Sequence, residues 1–344
     1  VLFEKSADEP FPPASLAKLM TADVVLEALS HREIKVEDTF RVSDYAWRTG
    51  GAPSKTATMF AAVRSEVPVD SLMRGLIILT ANDAALVLAE GLAGSEDAFV
   101  HRMNERSQTL GLAATHYVNA TGLPATDQTT TVRDVATLTR HLISDHPDAY
   151  KLHRNPEFEW NKIRQRNRNP LLRLDIGATG MATGFDENRG YSIVGTAEND
   201  GRLTIVVLAG LPTDSERTRE ARRMLEWAAD SFERRTLFNK DDVLAAAQVF
   251  GGAADHVPGI VASDVEVYTP KGLSNLVSAQ VHYDAPLLAP IAAGSKIGRL
   301  TIEIEGRPLV ERDVFAAENV PVGAFTARAG GAVRELTLGW TRRL

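Results

Sequence analysis

Ser15 and Lys18 are the residues of this sequence whose types and spacing best fit covalent chemistry. Three residues apart on a helix, they lie on the same face, one turn above each other. A serine hydroxyl is a poor nucleophile until a neighbour takes its proton, and a lysine with a lowered pKa can do this. A position at a helix N-terminus also brings backbone N–H groups to a developing oxyanion. Because Ser-x-x-Lys is common by chance, the residues around this pair decide its interpretation.

Composition limits the class of protein. With 344 residues the chain is long enough for two domains, and 44% apolar and 24% charged residues are typical of a soluble globular protein. A net charge of −7 argues against a nucleic-acid partner, since phosphate binding needs a basic surface. The lack of cysteine excludes disulfides and thiolate chemistry. No stretch approaches the roughly 20 apolar residues that span a bilayer. The missing initiator Met makes a cleaved secretory signal one candidate for an upstream segment.

The hydrophobic pattern indicates helices with an antiparallel sheet. Segments Tyr191–Ala197 and Leu203–Ala209 read as strands joined by the turn-forming residues 198–201, which is a hairpin signal. Beyond about Thr236, short alternating segments indicate a small all-β module. Apolar residues recur at helical spacing in six segments, the fifth preceded by threonines able to cap it: 14–29, 69–79, 83–92, 103–112, 132–143 and 215–232.

The residues around Ser15 and Lys18 make the sequence recognisable. The run Phe11-Pro-Pro-Ala-Ser-Leu-Ala-Lys-Leu-Met-Thr21 closely resembles the acylation motif of the serine D-Ala-D-Ala carboxypeptidases, the low-molecular-mass penicillin-binding proteins. Further stretches match that family in order and extend the resemblance over nearly the whole chain: Tyr45–Ser54, Thr80–Ala85, His116–Leu123 and Asn167–Leu172.

The resemblance implies an α/β fold in two parts. Residues 1–235 are expected to form a DD-peptidase domain of the β-lactamase-like class, an antiparallel sheet with helices on both faces. Residues 236–322 are expected to form a small all-β sandwich domain. In the tail, residues 323–344, apolar side chains recur at helical spacing. The tail is therefore an amphipathic helix on a membrane surface, a helix docked on the protein or a disordered end. The apolar positions are Val333, Leu336, Trp340 and Leu344.

The resemblance also implies catalytic roles. Ser15 is the expected nucleophile, and Lys18 is the base that takes its proton. Thr80 stands where the family's second motif has Ser, and it is expected to pass the proton to the departing amine. Asn82 is expected to hydrogen-bond both Lys18 and the substrate amide.

The family's third motif is altered in this sequence. Ala182 stands where the family has a Lys that helps to bind the substrate carboxylate. Thr179 replaces an acidic residue, and Asp186 replaces Thr. Loss of one preorganised charge contact typically costs on the order of 100- to 1000-fold in rate. We therefore expect weakened carboxypeptidase turnover with a surviving, slower acylation.

Other positions are expected to hold the substrate. By resemblance, the backbone N–H groups of Ser15 and Phe185 form the oxyanion hole. Arg217 matches a family Arg that binds the terminal carboxylate, and Arg168 matches one that lines the cleft. A solvated surface arginine is an equal expectation for both. The predicted substrate-binding residues are Thr183, Gly184, Phe185, Arg217, Arg168 and Ala182.

The leading hypothesis is removal of the terminal D-Ala from peptidoglycan pentapeptides by an exported, periplasmic enzyme that uses no cofactor. β-Lactam antibiotics are the expected covalent inhibitors, and the tail is the expected contact with the outer face of the inner membrane. One alternative is a homologue that binds peptidoglycan peptides or a partner without turnover, which Ala182 and Thr179 favour. Another is a β-lactamase-like hydrolase, although no sequence feature marks the separate carboxylate base that fast deacylation needs.

His141 and His146 are histidines close together in the sequence, which raises the question of a metal site. They are five residues apart, and no carboxylate pair in the sequence completes a zinc site with them. The sequence therefore predicts ordinary polar surface histidines and no metal.

Overall fold

Two compact units make up the chain. The computed structural model describes residues 1–272, 277–304 and 306–325. The first unit is Val1–Ala229, and the second begins at Asp230. Among the described residues, no helix combines the length and apolar character needed to cross a bilayer. The predicted amphipathic tail lies outside the described residues, apart from its first three positions.

Helices supply most of the core of the first unit. In chain order they are α1 (Ala17–Ser30), α2 (Asp44–Gly50), α3 (Val69–Leu79), α4 (Asn82–Ala93), α5 (Glu96–Thr109), α6 (Val132–Asp145), α7 (Pro147–Leu152) and α8 (Asp214–Ser231). α4 is buried on all sides from Asn82 to Ala89, as expected of a helix without a polar face. Side-chain caps fix where others begin: Ser95 accepts a hydrogen bond from the Ala98 N–H, and Thr131 accepts one from the Asp134 N–H.

An antiparallel sheet lies between these helices. The strands of the first unit are β1 (Thr39–Arg41), β2 (Glu66–Pro68), β3 (Glu157–Trp160), β4 (Ile163–Arg166), β5 (Ala178–Asp186), β6 (Gly190–Asn199) and β7 (Arg202–Leu211). β5, β6 and β7 form the sheet in that order. Successive side chains of a strand point to opposite faces. Ile193 accordingly packs with Leu225 of α8, and Val194 packs into the core of the other helices. Helices therefore cover both faces, which confirms the predicted fold class.

The α-helix that carries Lys18 begins later than predicted. Ala14–Leu16 form a 3₁₀ turn, and α1 itself starts at Ala17. The backbone of Ala14 has a φ of 46°, a left-handed conformation that an α-helix does not accommodate. Ser15 therefore lies in a tight turn that leads directly into the helix.

The second unit is built from strands. In chain order they are β8 (Phe232–Phe238), β9 (Val243–Phe250), β10 (His256–Ile260), β11 (Val265–Pro270), β12 (Val277–His282), β13 (Leu287–Leu288), β14 (Lys296–Ile304) and β15 (Arg307–Ala316). β12, β14, β15, β10, β9 and β13 form one sheet in that spatial order, and β11 pairs with β8 in another. Buried Val257, Val267, Leu300 and Ile302 belong to the core of this unit. The predicted all-β module is thus present.

Candidate active site

Ser15 and Lys18 meet as their spacing predicts. The Lys18 Nζ lies 3.3 Å from the Ser15 Oγ, within hydrogen-bonding distance. Lys18 is buried in the first turn of α1, whereas Ser15 keeps part of its surface open to solvent. The pair therefore combines an accessible hydroxyl with a sequestered amine.

Burial changes the proton affinity of Lys18. It lowers the lysine's pKa from 10.5 to about 7, because a charged ammonium loses its hydration there. Among the described residues no carboxylate bonds the amine, and its other partner is the backbone carbonyl oxygen of Thr121. Near neutral pH a substantial fraction of Lys18 is therefore an uncharged amine, able to accept a proton from Ser15.

The loop 119–123 holds Lys18 and the nucleophile turn together. Its Asn119 Oδ1 accepts hydrogen bonds from the backbone N–H groups of Thr121 and Gly122, at 3.2 and 2.7 Å. Gly122 has a φ of 76°, and a Cβ at this position would lie 1.7 Å from the Ala14 carbonyl oxygen. Only glycine fits so close to the backbone that precedes Ser15. Sequence reasoning did not assign Thr121 a role, because its contribution is a backbone oxygen.

β5 lies beside the nucleophile turn. A Cβ on Gly184 would be 3.3 Å from the Pro13 carbonyl oxygen and 3.4 Å from the Ala14 Cβ. Thr183 is buried next to it, and Phe185 is 52% exposed. The Phe185 ring contacts Tyr191 on β6, with ring centroids 4.5 Å apart. The edge that carries the third motif is therefore placed against the turn of Ser15.

Two of the altered positions of the third motif, Ala182 and Thr179, have neutral surroundings among the described residues, whereas Asp186 accepts hydrogen bonds from the backbone N–H groups of Asn188 and Arg189. Ala182 is buried within the apolar core of the helices. Thr179 belongs to a buried hydroxyl cluster, in which Tyr150 and Thr179 lie 2.5 Å apart and Thr179 donates to Thr196 at 2.9 Å. The loss of the family's Lys and acidic residue is thus accompanied by neutral packing at both sites.

Thr80 and Asn82 flank the junction of α3 and α4, but neither bonds Lys18. The Thr80 hydroxyl donates to the Leu79 carbonyl oxygen at 2.7 Å. The Asn82 Nδ2 donates to the Thr56 hydroxyl at 2.8 Å. The Asn82 Oδ1 is buried and has no hydrogen-bond partner among the described residues. The expected Asn82–Lys18 hydrogen bond is therefore replaced by the contact of Lys18 with the Thr121 carbonyl.

Arg168 and Arg217 line one cavity of about 420 Å³. Arg168 is exposed at the surface of this cavity. Its backbone N–H donates a hydrogen bond to the Ile78 carbonyl oxygen at the end of α3. Arg217 is 6% exposed, so it is not a solvated surface arginine. It pairs with Asp214, and its guanidinium lies 5.5 Å from the centre of the Tyr191 ring. Its Nε has no hydrogen-bond partner among the described residues.

His141 and His146 differ from the sequence-based interpretation. Their side chains are 15% and 12% exposed, so they are not surface histidines. Both approach Asp23, a fully buried carboxylate of α1. Spacing along the chain did not reveal this group, because Asp23 comes from a distant helix.

The Ser–Lys pair at the start of a helix, beside an antiparallel sheet covered on both faces, defines a serine acyl-transfer protein of the penicillin-binding class. A sequence model described as D-alanyl-D-alanine carboxypeptidase matches residues 1–212, and one described as the C-terminal domain of penicillin-binding protein 5 matches residues 232–322. The chain belongs to the D-alanyl-D-alanine carboxypeptidase family.

Similar proteins match this chain over most of their own length. D-alanyl-D-alanine carboxypeptidase DacC of Escherichia coli is 37% identical over 95% of this chain and 83% of its own. The crystal structure of penicillin-binding protein 5 from Haemophilus influenzae superposes with a TM-score of 0.83 at 32% identity, covering 93% of each chain. Penicillin-binding protein D2 from Listeria monocytogenes, solved in an ampicillin-bound form, has a TM-score of 0.56 at 30% identity, over 65% of this chain and 90% of its own.

Proposed function

We propose that this chain is a serine D-Ala-D-Ala carboxypeptidase that removes the terminal D-Ala from peptidoglycan pentapeptides. The observation that carries the proposal is the contact of 3.3 Å between the Ser15 Oγ and the Nζ of a buried Lys18. A lysine whose pKa burial lowers to about 7 is a suitable general base at neutral pH. Membership of the carboxypeptidase family supports the choice of substrate.

In the proposed acylation step, Lys18 takes the proton of Ser15 while the Oγ attacks the carbonyl carbon of the penultimate D-Ala. The Thr121 carbonyl holds the amine in place for this transfer. The tetrahedral oxyanion is assigned to the backbone N–H groups of Ser15 and Phe185. Backbone donors do not depend on side chains, so the changes in the third motif leave them available.

Collapse of this intermediate breaks the C–N bond and releases D-Ala. Thr80 is the proposed route for the proton from Lys18 to the leaving amine, which requires its hydroxyl to turn away from the Leu79 carbonyl. The unpartnered Oδ1 of Asn82 is assigned to the substrate amide N–H, because a buried acceptor without a partner gains most from a new donor. Water then hydrolyses the ester and regenerates Ser15.

The terminal carboxylate is assigned to the cavity that contains Arg168 and Arg217. The buried and unpartnered Nε of Arg217 offers a donor for a carboxylate oxygen. The Thr183 hydroxyl and the backbone of Gly184 and Phe185 are assigned to the same end of the peptide. These contacts replace part of the charge that Ala182 does not supply, so we expect slow but measurable turnover.

The proposed setting is the periplasm, where peptidoglycan peptides are exposed, with the tail as a peripheral contact on the inner membrane. β-Lactams are proposed covalent inhibitors, since they acylate a serine through the same attack on a carbonyl. The relative from Listeria monocytogenes with bound ampicillin supports this expectation.

Intact-mass analysis after incubation with benzylpenicillin tests the nucleophile. We expect a single penicilloyl adduct on the wild-type chain and none on Ser15→Ala. Release of D-Ala from a D-Ala-D-Ala-terminated peptide is then measured for both chains. An adduct without any D-Ala release would reject the carboxypeptidase and leave a penicillin-binding protein without turnover. Rapid loss of the adduct would instead favour a β-lactamase-like hydrolase.

A peptidoglycan-binding protein without turnover is the second candidate. The buried Ala182 favours it, because the position that carries the family's cation here contributes only to apolar packing. Under this hypothesis a D-Ala-D-Ala peptide binds with the same affinity to the wild type and to Ser15→Ala, and no D-Ala is released from either.

A further inference from the structure

Asp23, His141 and His146 converge at one place in the first unit. The Asp23 Oδ1 lies 3.0 Å from the His141 Nε2 and 3.7 Å from the His146 Nε2. One ligand atom from each residue falls within 4.8 Å of the others. Asp23 belongs to α1, His141 to α6, and His146 to the junction of α6 and α7. None of these residues takes part in the proposed peptidase chemistry.

Two of the converging atoms lack hydrogen-bond partners. The Asp23 Oδ1 and the His146 Nε2 are both buried, and neither is hydrogen-bonded to any described residue. Asp23 is fully buried, and a buried polar atom without a partner is destabilising because its hydration is lost and nothing replaces it. Such atoms therefore point to a missing cation or donor between them.

Both ring nitrogens of His141 have close polar neighbours. Its Nδ1 lies 3.2 Å from the Asp145 carboxylate. Its Nε2 lies 3.0 Å from the Nη2 of Arg106, which can only donate. The Nε2 also lies 3.0 Å from the Asp23 Oδ1. A metal ion can bind both an imidazole nitrogen and a carboxylate oxygen.

The local charge also fits a divalent cation. Asp23, Glu27 and Asp145 bring three carboxylates to this place, and the guanidinium of Arg106 bonds two of them. The carboxylates exceed the guanidinium by two, which suits a divalent cation. Arg106 keeps its bonds to the Asp23 Oδ2 and to Glu27 if its contact with His141 is given up.

We propose that Asp23, His141 and His146 form a zinc site that joins α1 to α6 and α7. Ligands of a tetrahedral Zn²⁺ with bonds near 2.0–2.1 Å are separated by about 3.3 Å, which lies between the two observed spacings. The Asp145 carboxylate lies beside the Nδ1 of His141, the nitrogen that would not bind the metal. A carboxylate in this position orients a ligating histidine and raises its basicity. Three protein ligands leave the fourth position to water.

The site has a structural consequence. α1 carries Lys18 and follows directly from the turn of Ser15. Zinc at Asp23 ties the middle of this helix to the end of α6, so it stabilises the folded state by its binding free energy. Binding is independent of acylation, so Ser15→Ala is expected to bind zinc as the wild type does.

Isothermal titration of metal-stripped, untagged protein with Zn²⁺ tests the proposal. We expect one Zn²⁺ per chain, and a rise in Tm that EDTA reverses. His146→Gln and His141→Gln remove one ligand each and should abolish saturable binding. Asp145→Asn changes an exposed residue beside the site and should weaken binding by about 10- to 100-fold. His101→Gln, at an exposed histidine paired with Glu105, is the matched control and should bind as the wild type does.

Several results would overturn the site. These are no saturable Zn²⁺ binding by the wild type, binding by His146→Gln equal to that of the wild type, and no effect of Asp145→Asn. Far-UV circular dichroism shows whether each variant folds. If the ligand variants do not fold, the wild type, Asp145→Asn and His101→Gln still decide the question. Absence of binding would leave Asp23, His141 and His146 as a buried polar cluster that holds no metal.

Discussion

Lys18 shows how one buried amine serves chemistry at a cost to stability. In the unfolded chain its pKa is near 10.5, whereas burial lowers it to about 7 in the folded protein. The unfolded state therefore binds the proton more tightly between these values, and stability rises as the pH increases through that window. Such a cost is typical of catalytic positions, where function opposes maximal stability.

The same pKa predicts the pH profile of acylation. The rate constant for benzylpenicillin should rise about tenfold per pH unit below pH 7 and level off above it, because only neutral Lys18 accepts the Ser15 proton. Stopped-flow or quenched mass measurements from pH 5 to 9 give the profile. Lys18→Arg keeps a cation but cannot lose its proton, so it should not acylate at any of these pH values. A wild-type profile without an inflection contradicts the role of Lys18 as the base.

Position 182 offers a gain-of-function test. Ala182→Lys should raise D-Ala release by on the order of 100-fold, because it restores a cation at the third motif. Ala182→Met is the matched control, since it adds a side chain of similar length without charge. Equal rates in the two variants would mean that the missing charge does not limit turnover.

Among the elements, the loop 119–123 depends on a single glycine. Gly122→Ala should lower the free energy of unfolding by about 1–3 kcal/mol through its positive φ, and more through the contact of 1.7 Å with the Ala14 carbonyl. Urea denaturation measures this change. Acylation of the folded fraction should also slow, because the turn of Ser15 must move.

Gly111→Ala separates the cost of a positive φ from the cost of the steric contact with the Ala14 carbonyl. Gly111 also has a positive φ, of 71°, but a Cβ there meets nothing within 4 Å. This variant should show only the smaller backbone cost and an unchanged acylation rate. If both variants acylate normally, the loop does not position the nucleophile.

Helices in which apolar residues recur regularly at helical spacing could be predicted from the sequence. The predicted helix 69–79 has the bounds of α3, which ends where Thr80 adopts a left-handed conformation. The start of α5 was missed by seven residues, because its first turn begins with the acidic Glu96 and Asp97 and only Ser95 marks it. Periodicity detects a buried face, whereas capping residues are also common in loops.

The candidate site could be predicted where side chains act and not where the backbone does. The Ser15–Lys18 contact follows from helical spacing. The Thr121 carbonyl on Lys18 comes from a residue 103 positions away and has no side-chain signal. The group of Asp23 with His141 and His146 needs two helices to pack, so no local pattern indicates it.

At the scale of the whole molecule, His153 links stability to pH. It is buried, and burial lowers its pKa from 6.5 to about 4, although a hydrogen bond with the Met181 backbone opposes the shift. Between these values the unfolded state binds more protons, so stability is lost as the pH falls from about 6.5 to 4. This difference in pKa corresponds to a loss of roughly 3 kcal/mol in the free energy of unfolding once the pH is below both values.

Urea unfolding at pH 7 and pH 4.5 measures this contribution. His153→Gln should reduce the loss of stability between the two pH values, even if it lowers stability at both. His31→Gln changes an exposed histidine and should keep the wild-type dependence. Carboxylates also titrate in this range. The contribution of His153 is therefore read from the difference in pH dependence between His153→Gln and the wild type. Equal pH dependence in His153→Gln and the wild type would rule out His153 as its source.

The arginines around the cavity near Arg217 also affect how an anionic substrate arrives. Arg166, Arg168, Arg173 and Arg217 line this cavity with Asp214, although the chain as a whole has a net charge of −7. Local positive potential in a cleft draws anions from solution and raises the rate of encounter, and dissolved salt screens this attraction. The proposed peptides end in a carboxylate, so their capture should slow as ionic strength rises, while the chemical step on bound peptide does not change.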